Sequence, residues 1–267
     1  MQRSQAWQPI AEGGKGLLLA VDFAATGRPE AAFTDLAAGL AGWEVWETVQ
    51  PPIGTEDRLD AAAYVERWTG AVPGGPVVGV LGFCAGGVFA GEIAEALASA
   101  QQRPPRLLLF DPEAPTTLTL YYQFHKVVES LSGLLGPDRV TEAVEAGRAA
   151  QRRTDDTAVL GAVLVELFEN AARPAFEAAE LDEEYRAELT GTYRSFVSYL
   201  VAASRIDHAR GWAPGIAFTS ASPTSGLNPM PPEVRESLVH KELRFDTGHS
   251  DLLRDPDVAR AAVELLT

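Results

Sequence analysis

The stretch PVVGVLGFCAGGVFAGEIAEALASA, Pro76–Ala100, decides the fold. Pro76–Phe83 is a continuous apolar run rich in valine, the composition of a strand buried on both faces. Ala85–Ala100 then carries alanine, leucine and glutamate at helical spacing, so a helix follows with almost no connecting loop. Between them stands Gly82-Phe83-Cys84-Ala85-Gly86, a G-x-nucleophile-x-G turn with cysteine in the reactive slot. Side chains at Gly82 and Gly86 would collide across so sharp a turn, which forces Cys84 into a strained, exposed conformation. The start of the helix favours negative charge on the sulfur, and the Ala85 N–H is placed to receive an oxyanion.

Outward from this turn the same alternation continues. Gly16–Phe23 (GLLLAVDF) is a buried strand, Pro29–Leu40 a helix, Trp43–Val49 a strand, and Glu56–Thr69 an amphipathic helix with Leu59, Ala63, Val65 and Trp68 facing the core. Arg106–Phe110 (RLLLF) is the strand after the turn helix. The repeated β-α order predicts an α/β fold, a mostly parallel sheet with helices on both faces. From about 114 to 205 the pattern is helical only, with breaks expected at Gly136-Pro137, Arg173-Pro174 and Gly191. This block reads as a lid inserted into one domain spanning 1–267. Strands resume at Gly215–Ser222 and Glu242–Phe245, with helices at Pro232–Val239 and Val258–Leu266.

Composition narrows the function classes. The 267 residues hold 22 basic and 37 acidic side chains, a net charge of −15, which excludes the basic footprint of a nucleic-acid binder and disfavours anionic membranes. One cysteine excludes an internal disulfide and any cysteine-based zinc site. Four scattered histidines without HExxH or His-x-His spacing give no metal site. With no signal-like apolar segment at the N-terminus and no run near the roughly 20 apolar residues of a membrane span, the expectation is a soluble cytoplasmic protein.

A nucleophile at such a turn needs an acid and a histidine downstream, in that order. His249, in Asp246-Thr247-Gly248-His249-Ser250 after the last strand, is placed to be the base, ahead of His125, His208 and His240. The acid belongs after one of two strands. GIAFTSASPTSGLN carries no carboxylate, whereas RLLLFDPEAP ends in Asp111, which is therefore chosen, with Glu113 next and Asp246 and Asp251 behind it. A second oxyanion donor is expected from the loop Phe23–Gly27, from either Ala25 or Thr26.

These residues resemble the thioesterase domains of nonribosomal peptide and polyketide synthases, within the α/β-hydrolase fold. The likeness runs through GGPVVGVLGFCAGGVFAGEIAEAL, RLLLFDPEAP, the helical lid and TGHSDLL, nearly the whole chain. It implies Cys84 as nucleophile, Asp111 as acid, His249 as base, and Ala85 with the Ala25/Thr26 loop as oxyanion hole. Serine is usual where Cys84 stands, and the usual His-Pro-Gly-like oxyanion run is absent. The implied substrate is an acyl or peptidyl chain on the phosphopantetheine of a carrier protein, with no cofactor of the enzyme's own. Such carriers are themselves acidic, so docking calls for a local patch, with Arg103 and Arg106 as candidates. Leu120, Tyr121, Phe124, Leu131 and Leu134 would line an acyl pocket or form the lid's core. Two alternatives are a small-molecule ester or lactone hydrolase like dienelactone hydrolase, whose acid follows the later strand, and a non-catalytic binding protein of the same fold.

Overall fold

The computed structural model describes residues 6–24 and 30–267 and divides into two compact units. The first comprises residues 1–51, 60–114 and 206–267, the second 52–59 and 115–205.

The first unit is built on a seven-stranded sheet. Its strands are β1 (Trp7–Ala11), β2 (Leu17–Val21), β3 (Glu44–Thr48), β4 (Val77–Phe83), β5 (Arg106–Phe110), β6 (Ile216–Thr219) and β7 (Lys241–Arg244), in the order β1-β3-β2-β4-β5-β6-β7. All neighbours are parallel except β1 and β3. This is the predicted mostly parallel sheet with one added element. Strand β1 escapes sequence reading because Pro9 interrupts it; an edge strand with a register shift between Pro9 and Ala11 tolerates the missing donor.

Around the sheet run α1 (Phe33–Gly39), α2 (Ala61–Thr69) and α3 (Gly86–Ala100). The helical unit holds α4 (Thr117–Ser130), α5 (Ser132–Leu135), α6 (Pro137–Gln151), α7 (Thr157–Ala178) and α8 (Glu183–Ala203). The chain returns to the sheet unit through α9 (His208–Trp212), α10 (Pro232–Leu238) and α11 (Pro256–Leu266).

Period-two alternation assigns the sheet's faces. Leu18, Leu81, Phe83, Leu108, Phe110 and Phe218 join Phe33 and Leu36 of α1 and Val258 and Ala262 of α11 in one core, every one of them almost wholly buried. Gly82 and Leu109 face the other way, toward α3. There Tyr64, Trp68 and Phe89 form a ring cluster with centroids 5.3–5.4 Å apart, and the Trp7 indole N–H donates to the Trp68 carbonyl. Each such buried aromatic contributes about 1.5–3 kcal/mol. The expected helix from Glu56 is shorter than its pattern: Asp60 accepts from the Ala63 N–H and starts α2 there, leaving a 3-10 turn at Glu56–Arg58. Tyr64 and Trp68, rather than Ala63 and Val65, are the residues α2 buries.

Two of the three expected breaks in the helical block are absent. Gly136 ends α5 and Pro137 opens α6, as the sequence suggests. Pro174, however, lies inside α7, where Leu164, Phe168, Ala172, Ala175 and Phe176 are buried and their packing outweighs the lost hydrogen bond. Gly191 lies inside α8, and its purpose is space: a Cβ there would sit 2.3 Å from Ile53 Cγ2. Leu120, Tyr121 and Phe124 are core residues of this unit, while Leu134 is exposed. No helix among the described residues is long and apolar enough to cross a membrane.

Candidate active site

The carboxyl ends of β4, β5, β6 and β7 are stitched to one another by backbone bonds that continue past the strands. Cys84 N–H donates to Phe110 O (2.9 Å), Asp111 N–H to Phe218 O (2.8 Å), and Ala221 N–H to Thr247 O (2.8 Å). Side chains just beyond these strand ends converge, the usual place for a site in a parallel sheet.

Cys84 occupies the left-handed region at φ 51°, unusual for a residue with a side chain. The turn is enforced by close packing: a Cβ on Gly82 would lie 2.6 Å from Gly87 Cα and 2.7 Å from Ala90 Cβ. Gly87 is thus the residue opposite Gly82, one position beyond the glycine expected from the motif. The Cys84 carbonyl accepts from Gly87 N–H (3.0 Å) and from Glu113 N–H (3.1 Å), fixing the turn to the loop after β5. Ala85 caps the start of α3. Ala25 and Thr26 lie outside the described residues.

Asp111 is fully buried and also left-handed, at φ 41°. Its Oδ1 accepts from the Ser220 N–H (2.8 Å) and its Oδ2 lies 2.8 Å from His249 Nδ1. A carboxylate at Nδ1 keeps the ring proton on that nitrogen and leaves the Nε2 lone pair available. His249 begins the 3-10 turn His249–Arg254, with its side chain 15% exposed. Its ring stacks on Phe83, the residue before Cys84, with centroids 4.9 Å apart and planes at 16°. Its backbone N–H donates to Ser222 Oγ (2.8 Å). The structure therefore brings together the three expected residues at one sheet end, with the His249–Asp111 pair formed.

Glu113 is not the partner of His249; its Oε2 lies 3.9 Å from Cys84 Sγ. Asp251 pairs with Arg254 (2.7 Å), and Asp246 is exposed. The other histidines are elsewhere: His125 pairs with Glu129 in α4, His240 is exposed before β7, and His208 packs on Trp212, where burial lowers its pKa. Arg103 and Arg106 lie before and at the first residue of β5, the sheet end opposite Cys84. Among the described residues no group of three or more His, Cys, Asp or Glu is arranged to hold a metal.

Three supporting residues have little sequence signal. Phe83 follows a glycine in an apolar strand and looks like core. Ser222 stands in a loop of the stretch GIAFTSASPTSGLN, which lacks a carboxylate and offers no pattern marking one serine over another. Asn228, whose Nδ2 donates to both Ser220 O and Ser222 O (2.8 Å each), holds the loop that carries Ser222. Only the fold brings these segments to Asp111 and His249.

No family model and no curated protein matches the sequence. Solved structures do. The Vlm2 thioesterase domain with genetically encoded 2,3-diaminopropionic acid, bound with a dodecadepsipeptide, aligns at TM-score 0.52 and 18% identity, over 95% of this chain and 93% of that one. The NocB thioesterase domain, in covalent complex with a fluorophosphonate nocardicin G analog, aligns at TM-score 0.52 and 18% identity, over 98% and 100%. Holo-AB3403, a four-domain nonribosomal peptide synthetase bound to AMP and glycine, aligns at 0.56 and 14%, over 97% of this chain and 20% of that chain. The chain has the α/β-hydrolase fold of these thioesterase domains. At such identities the likeness speaks for fold, and the chemistry rests on the residues.

Proposed function

We propose that the chain is a release-type thioesterase that takes an acyl or peptidyl group from a carrier protein's phosphopantetheine onto Cys84. It then passes that group to an acceptor by transfer, ring closure or hydrolysis, in natural-product assembly. The observation that carries this is Cys84 at φ 51° on the β4–α3 turn, with His249 stacked on the preceding residue, Phe83, and paired at 2.8 Å with the buried Asp111. The likeness of fold to thioesterase domains supports it.

In the loading step His249 Nε2 takes the thiol proton, and Cys84 Sγ attacks the thioester carbonyl carbon. A new carbon–sulfur bond forms, the bond to the pantetheine sulfur breaks, and His249 returns the proton to that leaving thiolate. Asp111 holds the tautomer and stabilises the imidazolium. The Ala85 N–H, with one from Ala25 or Thr26, would receive the oxyanion. One thioester is exchanged for another, so loading is near thermoneutral and the acyl group stays activated for a weak nucleophile. No cofactor of the enzyme's own enters these steps; the pantetheine arm comes with the substrate. The helical unit is proposed to serve as a cap that limits water. With −15 net charge, an acidic carrier would dock through short-range contacts rather than long-range steering. The position of Arg103 and Arg106, at the far end of the sheet, argues against them as the docking patch.

Intact-protein mass spectrometry with an acyl pantetheine thioester tests the proposal. An acyl adduct on the wild type and none on Cys84→Ala is expected; no adduct on the wild type, or one that persists in the variant, overturns it. Turnover of thioesters far above that of simple esters and lactones separates this reading from a dienelactone-hydrolase-like one.

A further inference from the structure

We propose that Glu113 is a specificity-determining residue that selects aminoacyl groups, those with a free ammonium beside the thioester carbonyl. This rests on the covalent role of Cys84 proposed above. The geometry behind it is the approach of Glu113 Oε2 to within 3.9 Å of Cys84 Sγ. That position is held by backbone: the Glu113 N–H donates to the Cys84 carbonyl, so the glutamate is tied to the very turn that presents the sulfur.

Two carboxylates follow β5, and they do different things. Asp111 faces the imidazole, whereas Glu113 faces the sulfur. Whatever is bonded to Sγ places its first atoms next to Oε2. A carboxylate only accepts hydrogen bonds, so the complementary group on an acyl chain is a donor, and an ammonium gives the strongest such bond. In an aminoacyl thioester the ammonium is separated from the carbonyl carbon by one carbon, so it stands three bonds from the sulfur and can reach a carboxylate oxygen 3.9 Å from that sulfur.

Matched pantetheine thioesters of alanine and N-acetylalanine test this in the full chain, read as the rate of acyl-adduct formation on Cys84. The wild type is expected to favour the free amine by about 10- to 100-fold. Glu113→Gln, which keeps the backbone bond and nearly the same shape, is expected to lose that preference, so that the two thioesters load at similar rates. Glu113→Asp should keep part of it. In the wild type the preference should fall as pH rises through about 8, where an α-amino group loses its proton, a change that a merely structural glutamate would not produce. Equal loading of both thioesters by the wild type, or an equal loss of both in Glu113→Gln, overturns the role of Glu113 alone. Absence of any adduct from either thioester overturns this inference and the Cys84 mechanism together.

Discussion

Three non-glycine residues among those described adopt left-handed backbone: Cys84 at φ 51°, Asp111 at 41° and Glu180 at 52°. The first two belong to the sheet unit and the third to the helical unit. Glu180 follows the end of α7, and its surroundings account for it fully. Leu181 N–H bonds to Phe176 O and Glu180 N–H to Glu177 O, the paired bonds that close a helix through a left-handed residue. Glycine would do that job better, and nothing about glutamate is required. At Cys84 and Asp111 the same torsion carries the side chains that the proposed mechanism uses, and glycine would remove them with the strain. Equal backbone strain thus closes a helix in one unit and, on the proposed mechanism, presents side chains in the other.

The largest effect that would sharpen this contrast is on Asp111. Asp111→Asn should fold, because asparagine tolerates left-handed torsions and can still accept from Ser220 N–H. Its amide group facing Nδ1 would favour the wrong ring tautomer, and deacylation of a loaded chain should slow by about 1,000- to 10,000-fold. Single-turnover kinetics at an unchanged melting temperature would show this; a loss below tenfold would break the distinction between presenting and terminating torsions.

Next in size is the pair Gly82 and Gly191, one in each unit. At Gly82 an added Cβ meets the backbone of Gly87, which cannot move aside without unmaking the turn. Gly82→Ala should destabilise by about 3 kcal/mol, the upper end for overpacking, and abolish loading of Cys84. At Gly191 the added Cβ meets the β-branch of Ile53, with Cγ2 at 2.3 Å and Cβ at 3.4 Å, but that side chain is half exposed and no backbone stands in the way, and alanine gains about 1 kcal/mol in helix propensity. Gly191→Ala should therefore cost about 1 kcal/mol or less. In an Ile53→Ala background the same change should become stabilising. Denaturant titrations of the two single variants and the double variant would read both signs.

How far the sequence discloses such features depends on how local their causes are. The Cys84 turn is legible because its strand, its helix and its glycines are contiguous. Asp111 and His249 are legible because chain order within the fold limits where acid and histidine can stand. Strand β1 is not, since Pro9 opposes a strand unless the edge position is known. Pro174 and Gly191 mislead for the converse reason: local propensity says break, and packing in α7 and against Ile53 overrides it. Phe83 under His249, Ser222 beneath its backbone and Glu113 beside the sulfur are contacts between segments far apart in sequence. No local pattern encodes them.

The smallest effect bears most directly on the three torsions. Glu180→Gly should stabilise the chain by about 0.5–1 kcal/mol, because it relieves left-handed strain at an exposed helix end whose closing bonds are all backbone. Cys84→Gly relieves the same strain but gives up a small side chain packed against the core, so its stability should change little while acyl-adduct formation is lost. Thermal melts of both variants beside the wild type decide the matter. If Cys84→Gly loses several kcal/mol, Cys84 is a core residue held by its packing, and the strain there has no presenting role. If it holds its stability and Glu180→Gly gains, the strain at residue 84 is retained for the sulfur's position and not for the fold.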